Sequence, residues 1–203
     1  MRIGVIVDGR AEYGSLDRIY PQLQARSGNV FLSPVQADIQ PFAPTPVIAK
    51  ACKAAIALLQ AKGSDRIIVL VDRESRQECG SEIASSIAGE ITRQFQAPVE
   101  VVVKNRRFEN WLLADPDALA AQRRRYRVSN AVRRRIEPNR VDQVNDGIPV
   151  MKLCCRGDYE KVSDSRYILE QADADSMGGN SRSFRRFLRV AGHQRYRRQS
   201  RRP

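Results

Sequence analysis

Six side chains carry the chemistry that this sequence offers. One apolar run ends in Val7-Asp8-Gly9-Arg10-Ala11-Glu12, and a second ends in Val71-Asp72-Arg73-Glu74. Asp8 and Glu12 flank a glycine turn that opens onto a helix. Asp72 and Glu74 stand two apart, and in extended backbone alternate side chains share a side. Carboxylates gathered in one crevice repel and raise each other's pKa unless a cation neutralises them. Oxygen-only donors favour Mg²⁺ or Mn²⁺, so Asp8, Glu12, Asp72 and Glu74 are candidate metal ligands. A fifth acid lies in Lys104-Asn105-Arg106-Arg107-Phe108-Glu109-Asn110-Trp111. There Glu109 would complete the acidic cluster and Lys104 would offset charge on a phosphate.

Taken singly, each acid also has a plain role: Asp8 as a turn residue, Glu12 as first-turn helix charge, Asp72 as a loop cap. Glu109 would then sit on the solvent side of a helix whose other face buries Phe108, Trp111 and Leu112. Only the joint placement of the acids at two strand ends favours a metal site. Other chemistries are poorly served. The sole histidine is His193, and Cys52, Cys79, Cys154 and Cys155 form no CxxC pair, which argues against a zinc site and against histidine-assisted nucleophiles. Cys52 falls in an apolar helical pattern and reads as core. A reduced, cytoplasmic setting is the simplest expectation.

The elements that must hold these acids follow from periodicity. Residues 1–7, 67–71 and 99–103 read as strands, the last half-buried, with a shorter one at 30–32. Helices are expected over 12–24, over 45–59 with Thr45 as N-cap and Gly63 beyond its end, and from 81 onward with Ile83, Ile87 and Ile91 on one face. Residues 34–46 read as a proline-rich loop. Alternating strands and helices predict an α/β fold: a Rossmann-like, mostly parallel four-stranded sheet flanked by helices. In such sheets ligands bind beyond the carboxyl ends of the strands, where Asp8 and Asp72 stand. After Lys104 the pattern turns helical, with helices at 108–114, from Asp115 as N-cap, at 159–171 and at 183–190, and an irregular stretch at 141–157. The domain plan is an α/β core at 1–115, a helical C-terminal extension at 116–190 packed on it, and a basic tail at 191–203 expected to lack fixed structure.

The chain has 203 residues, 42% hydrophobic and 29% charged, with a formal net charge of +12. That is a globular composition, and no apolar stretch is long enough to span a bilayer; no membrane role or secretion signal is expected. The charge is uneven. Residues 1–103 sum to zero, 104–140 to +7, 141–180 to −4 and 181–203 to +9. Arg123, Arg124, Arg125 and Arg127, with Arg133, Arg134 and Arg135, form the internal basic block. Such blocks either hold nucleic-acid phosphates or are solvated helix faces.

Val7-Asp8-Gly9-Arg10-Ala11-Glu12 resembles the first motif of Toprim domains, in particular the form V-E-G-x-T-E of the overcoming-lysogenization-defect (OLD) nucleases. Asp72-Arg73-Glu74 resembles their second motif, D-x-D, and the order of motifs fits a Toprim sheet. Phe108-Glu109-Asn110-Trp111-Leu112-Leu113-Ala114-Asp115 and Tyr159-Glu160-Lys161 are similar to features of a family of small uncharacterised bacterial Toprim-like proteins (domain-of-unknown-function family 4276). The resemblance spans roughly residues 1–190. It implies a Mg²⁺- or Mn²⁺-dependent nuclease acting on nucleic acid, with an ATPase partner in a phage-defence setting. Two positions depart from the pattern: Asp8 stands where Toprim enzymes have Glu, and Glu74 where they have Asp. The shorter Asp8 retracts its carboxylate by on the order of 1–1.5 Å. These departures motivate a second expectation, a catalytically degenerate Toprim-fold module that binds a partner ATPase or nucleic acid. A third, lower-ranked expectation is a PIN- or NYN-like ribonuclease, whose fold also begins with a strand ending in Asp-Gly.

Overall fold

The structure is a computed structural model and describes residues 1–97 and 99–198. Strand β1 (Arg2–Val7) leads into helix α1 (Arg10–Ser15), a 3₁₀ turn (Leu16–Ile19) and α2 (Tyr20–Ser27). Two short strands, β2 (Val30–Phe31) and β3 (Val35–Gln36), precede α3 (Thr45–Ala61), β4 (Arg66–Asp72), α4 (Gly80–Phe95) and β5 (Val99–Lys104). The rest is helical: α5 (Phe108–Leu113), α6 (Pro116–Ala121), α7 (Asn130–Ile136), α8 (Gly147–Cys154), α9 (Lys161–Gln171), α10 (Ala174–Asn180) and α11 (Arg182–Val190).

The expected α/β class holds. The strands run in the order β2-β1-β4-β5 and every pairing between them is parallel. Strand β3, a two-residue strand too short to show a periodicity, lies inside the stretch expected to be a proline-rich loop and pairs further along β1, so the sheet has five strands rather than the expected four. Both faces of the sheet are covered, which is why β1 and β4 read as unbroken apolar runs. On one face Ile6, Val69, Val71, Val101 and Val103 pack with α3 and α4. On the other, Ile3, Val5, Ile68, Leu70 and Val102 pack with α1, α2 and the helices after β5. The helical half of the chain therefore shares one buried cluster with the sheet. Gly4 permits close packing of α3, since a Cβ there would stand 2.8 Å from the Leu59 methyls. No helix among the described residues is long and apolar enough to cross a membrane.

Several local expectations are corrected. The helix expected over 12–24 breaks at the 3₁₀ turn, because Pro21 fits the first turn of α2 but not a helix interior. Thr45 is not an N-cap; Pro44 holds that position, and Thr45 Oγ1 instead lies 3.1 Å from Ser86 Oγ. The stretch expected to be irregular contains α8. Its Gly147 and Pro149 look like breakers but occupy the first turn, where backbone N–H groups lack helical partners anyway, and Asp146 caps it through the Ile148 N–H. Strand β5 is buried from Val101 onward rather than half-buried, because α4 and α11 both pack on it. The tail expected to lack structure is ordered up to Arg198: Gln194–Tyr196 form a 3₁₀ turn, and His193 and Tyr196 are buried. Residues 199–203 lie outside the described residues. Asp115 caps α6 as expected, accepting from the N–H groups of Asp117 and Ala118.

Candidate metal centre

Strand register and one helix start build the centre. Asp72 and Lys104 are direct partners at the carboxyl ends of β4 and β5, so their side chains emerge on the same face. Asp8 follows β1, and its Oδ2 accepts the backbone N–H of Asp72 at 2.8 Å. Glu12, in the first turn of α1, folds back over Gly9, where a Cβ would collide with Glu12 Oε2. Glycine at position 9 thus lets the carboxylate lie against the backbone.

Asp8, Glu12 and Asp72 each offer a carboxylate oxygen, all within 4.8 Å of one another. Lys104 Nζ sits among them, 2.6 Å from Asp8 Oδ1 and 3.0 Å from Asp72 Oδ1, and hydrogen-bonded to Glu12 Oε1. Lys104 is 0% exposed. Its stem passes Phe108, whose ring centroid is 5.8 Å from Nζ. The ammonium expected to meet a phosphate is therefore enclosed by the acids themselves.

Burial opposes charge on Lys104, but Asp72, Asp8 and Glu12 together hold its pKa well above the ordinary value. Burial also pushes Asp8 up; there the Lys104 charge and hydrogen bonds from Lys104 and the Asp72 N–H outweigh it, and Asp8 lies below its usual range. For Glu12, burial and the Asp8 charge prevail over Lys104 and the pKa is raised. Asp72 is pushed up to about 8 by burial, with Asp8 and Glu12 adding to it against the pull of Lys104. Three acids thus share one ammonium, and full ionisation would leave an excess of negative charge in a buried space.

The donor set fits a hard divalent cation. All donors are carboxylate oxygens, and Glu12 Oε2 is buried with no hydrogen-bond partner among the described residues. Such an acceptor is costly unless a cation, a water or a proton shared with Asp8 meets it. Asp8, Glu12 and Asp72 are the residues that would hold a metal ion.

Glu74 is not brought to this cluster. Strand β4 ends at Asp72, Glu74 has a positive φ of 50°, and its carboxylate lies 3.7 Å from Arg107 Nη2. The alternation that put Asp72 and Glu74 on one side needs a strand that continues, and here the chain turns. Glu109 is 0% exposed rather than on a solvent face. It pairs with Lys161 Nζ at 3.1 Å, and its carboxylate has no other polar partner among the described residues. Trp111 is core, as expected.

Lys161 was not among the expected site residues, although Tyr159-Glu160-Lys161 had stood out as a motif. Burial lowers its pKa, but Glu109, with Glu12 and Asp72 further off, raises it on balance. Its ammonium therefore lies within electrostatic reach of the acidic cluster. Lys161 also lines a cleft of about 730 Å³ between α1 and α9, with Gly14, Arg166 and Tyr167. Only the docking of α9 on α1 and α5 reveals it.

The internal arginine block divides. Arg125 is committed to Asp164, with Nη2 at 2.7 Å from Oδ2, and Arg133 to Asp117 at 2.5 Å. Arg123, Arg124, Arg127, Arg134 and Arg135 are exposed.

No curated protein and no solved structure matches the chain. A family model does, over residues 8–190, which include all the acids of the centre, Lys104 and Lys161: the chain belongs to the family described as domain of unknown function (DUF4276).

Proposed function

We propose that the protein is a Toprim-like, Mg²⁺- or Mn²⁺-dependent nuclease that hydrolyses phosphodiester bonds in nucleic acid. The observation that carries this is the convergence of Asp8, Glu12 and Asp72, within 4.8 Å, at the carboxyl ends of adjacent parallel strands. A bound divalent ion would supply Lewis-acid activation of water and stabilisation of the leaving oxygen. Asp8 is oriented by the Asp72 N–H, and Lys104 keeps the three carboxylates together by offsetting part of their repulsion. Lys161, half-exposed on the neighbouring cleft and held by Glu109 at 3.1 Å, would share its charge with a substrate phosphate. The exposed arginines Arg123, Arg124, Arg127, Arg134 and Arg135 would hold backbone phosphates without reading bases. An ATPase partner in a defence-type system is the further implication of the resemblance to OLD nucleases.

The test is hydrolysis of single- and double-stranded DNA and RNA with Mg²⁺ or Mn²⁺ by the wild type and Asp72→Ala. Metal-dependent cleavage abolished by the substitution supports the proposal; equal activity in both proteins removes this site from consideration.

A second reading rests on Lys104. Its ammonium already occupies the focus of the carboxylates, as a cation would. In a degenerate Toprim-fold module this lysine would replace the metal permanently, and the protein would serve by binding an ATPase or nucleic acid. Calorimetric titration with Mn²⁺ separates the two, since the module takes up no ion at Asp8, Glu12 and Asp72.

A further inference from the structure

A second concavity, distinct from the acidic centre, runs along the outer edge of the sheet. Its volume is about 820 Å³, within the range of small-ligand sites. One side is apolar and small: Ala84 and Ala88 of α4, partly exposed, pack over the buried Val101 and Val103 of β5, the edge strand. The rim is cationic, with Arg73 from the end of β4 and Arg182 and Arg186 from α11.

Arg73 is held in place. Its Nη1 donates to Asn105 Oδ1 at 3.0 Å and its Nη2 to the Gln77 carbonyl at 3.3 Å. Its Nε is buried and without a partner among the described residues. Asn105 is fixed in turn by donating Nδ2 to the Asp142 carbonyl at 2.7 Å. The groove's two acids are both engaged. Glu100 lies 3.7 Å from Arg186. Asp142 accepts from the Ser183 N–H at 2.8 Å and from the hydroxyls of Ser181 and Ser183. Asp142 therefore fills the start of α11 as an internal anion. Arg182 is exposed and forms no ion pair among the described residues. Gly80 and Ser81, the first residues of the 16-residue α4, line the same groove; Glu82 in that first turn, which accepts the Cys79 N–H at 3.1 Å, already meets the positive end of the helix.

A preorganised guanidinium beside a small apolar surface is the complement of a phosphate joined to a planar heterocycle. We propose that this groove binds the phosphate and base of a nucleotide, with Arg73 and Arg182 on the phosphate and the Ala84 and Ala88 surface of α4 against the base. Arginine suits the phosphate because its planar fork matches the oxygens two at a time. The nucleotide is either free or the 5′-phosphorylated end of a strand; both present the same chemistry. The site needs no metal at the acidic centre, so it stands whether or not the protein is a nuclease.

The test is calorimetric titration of the full chain in EDTA with AMP, with the 5′-phosphorylated dinucleotide pdTpdT, and with inorganic phosphate. Saturable binding of AMP is expected, weakened roughly tenfold or more by Arg73→Ala, by Arg182→Ala and by Ala88→Phe, whose ring covers the small apolar surface. Unchanged circular dichroism and urea midpoints show that the variants fold. Asp72→Asn, at the acidic centre, should bind AMP as the wild type does. Binding of pdTpdT but not AMP, with the same variant pattern, identifies a strand end as the ligand and supports the site. No binding of either nucleotide, binding indifferent to all three groove variants, loss in Asp72→Asn alone, or inorganic phosphate binding as tightly as AMP would each overturn the proposal.

Discussion

The Asp72 backbone N–H donates to Asp8 Oδ2 across 2.8 Å, so one acid of the centre positions another through the main chain. This bond crosses from β4 to the loop after β1 and fixes the carboxylate that Lys104 also grips. Asp8→Ala leaves the Asp72 N–H unpaired in a buried setting and takes one counter-charge from Lys104. A loss of about 1–3 kcal/mol in urea unfolding is expected, the cost of an unsatisfied buried donor. Asp8→Asn retains an acceptor in the same place and should lose less. Equal stability of Asp8→Ala and wild type would show that the bond contributes nothing.

Lys104 is the second test. Removing the ammonium leaves three buried acids without a counter-charge, and breaking such a pairing costs about 3–5 kcal/mol. Lys104→Met should therefore unfold at much lower urea concentration without divalent ions. If Asp8, Glu12 and Asp72 hold a metal, Mn²⁺ should restore much of that loss, since a ligand that binds only the native state stabilises it. The Mn²⁺-induced rise in melting temperature is then larger for Lys104→Met than for wild type. No rise in either protein would favour the metal-free module.

Metal affinity should depend on pH with a definite sign. Burial, with Asp8 and Glu12 adding to it, pushes the Asp72 carboxyl up to about 8, so near neutral pH an arriving ion must displace a proton from a group it needs deprotonated. Binding expels that proton, and apparent Mn²⁺ affinity rises as pH increases towards 8, then levels off. Titrations in buffers of different ionisation enthalpy should show a proton released per ion below pH 8 and little release above it. Affinity flat from pH 6 to 8 would be inconsistent with Asp72 as a ligand.

Strand ends were legible in the sequence; what lies beyond them was not. Asp8, Glu12 and Asp72 come together because two apolar runs terminate side by side in a parallel sheet, a consequence of pattern and topology. Glu74 fails because extending strand alternation past Asp72 ignores the turn, where the backbone at Glu74 and Arg106 takes positive φ. Lys161 escaped for another reason. Its place beside Glu109 depends on α9 packing across α1 and α5, a contact between segments about fifty residues and more apart, which local periodicity does not encode.

This difference between Asp72 and Glu74 is measurable. Asp72→Asn should weaken Mn²⁺ binding by roughly tenfold or more, about 1.4 kcal/mol or above. Glu74→Gln removes only an ion pair with Arg107 at 3.7 Å and should leave the affinity within about twofold. A weak, partly exposed pair of that kind contributes about 0–1 kcal/mol to stability. Equal losses in the two variants would mean that Glu74 swings into the centre when the ion binds.

Trp111 tests how firmly the helical half is joined to the sheet. Its ring stacks on Phe187 at 5.5 Å and meets Phe184 edge-on at 5.0 Å, and its Nε1 donates to Ser183 Oγ at 2.8 Å. Trp111 belongs to α5, directly after the centre, whereas Phe184, Phe187 and Ser183 belong to α11. Trp111→Ala opens a cavity between them and should cost about 3–5 kcal/mol. Trp111→Phe keeps most of the volume but loses the hydrogen bond to Ser183, whose hydroxyl keeps Asp142 and Ser181, with an expected loss of about 1 kcal/mol. Because α11 also carries Arg182 and Arg186 at the nucleotide groove, the alanine variant should weaken AMP binding as well. Loss of stability with AMP affinity unchanged would separate the packing of α11 from the shape of the groove.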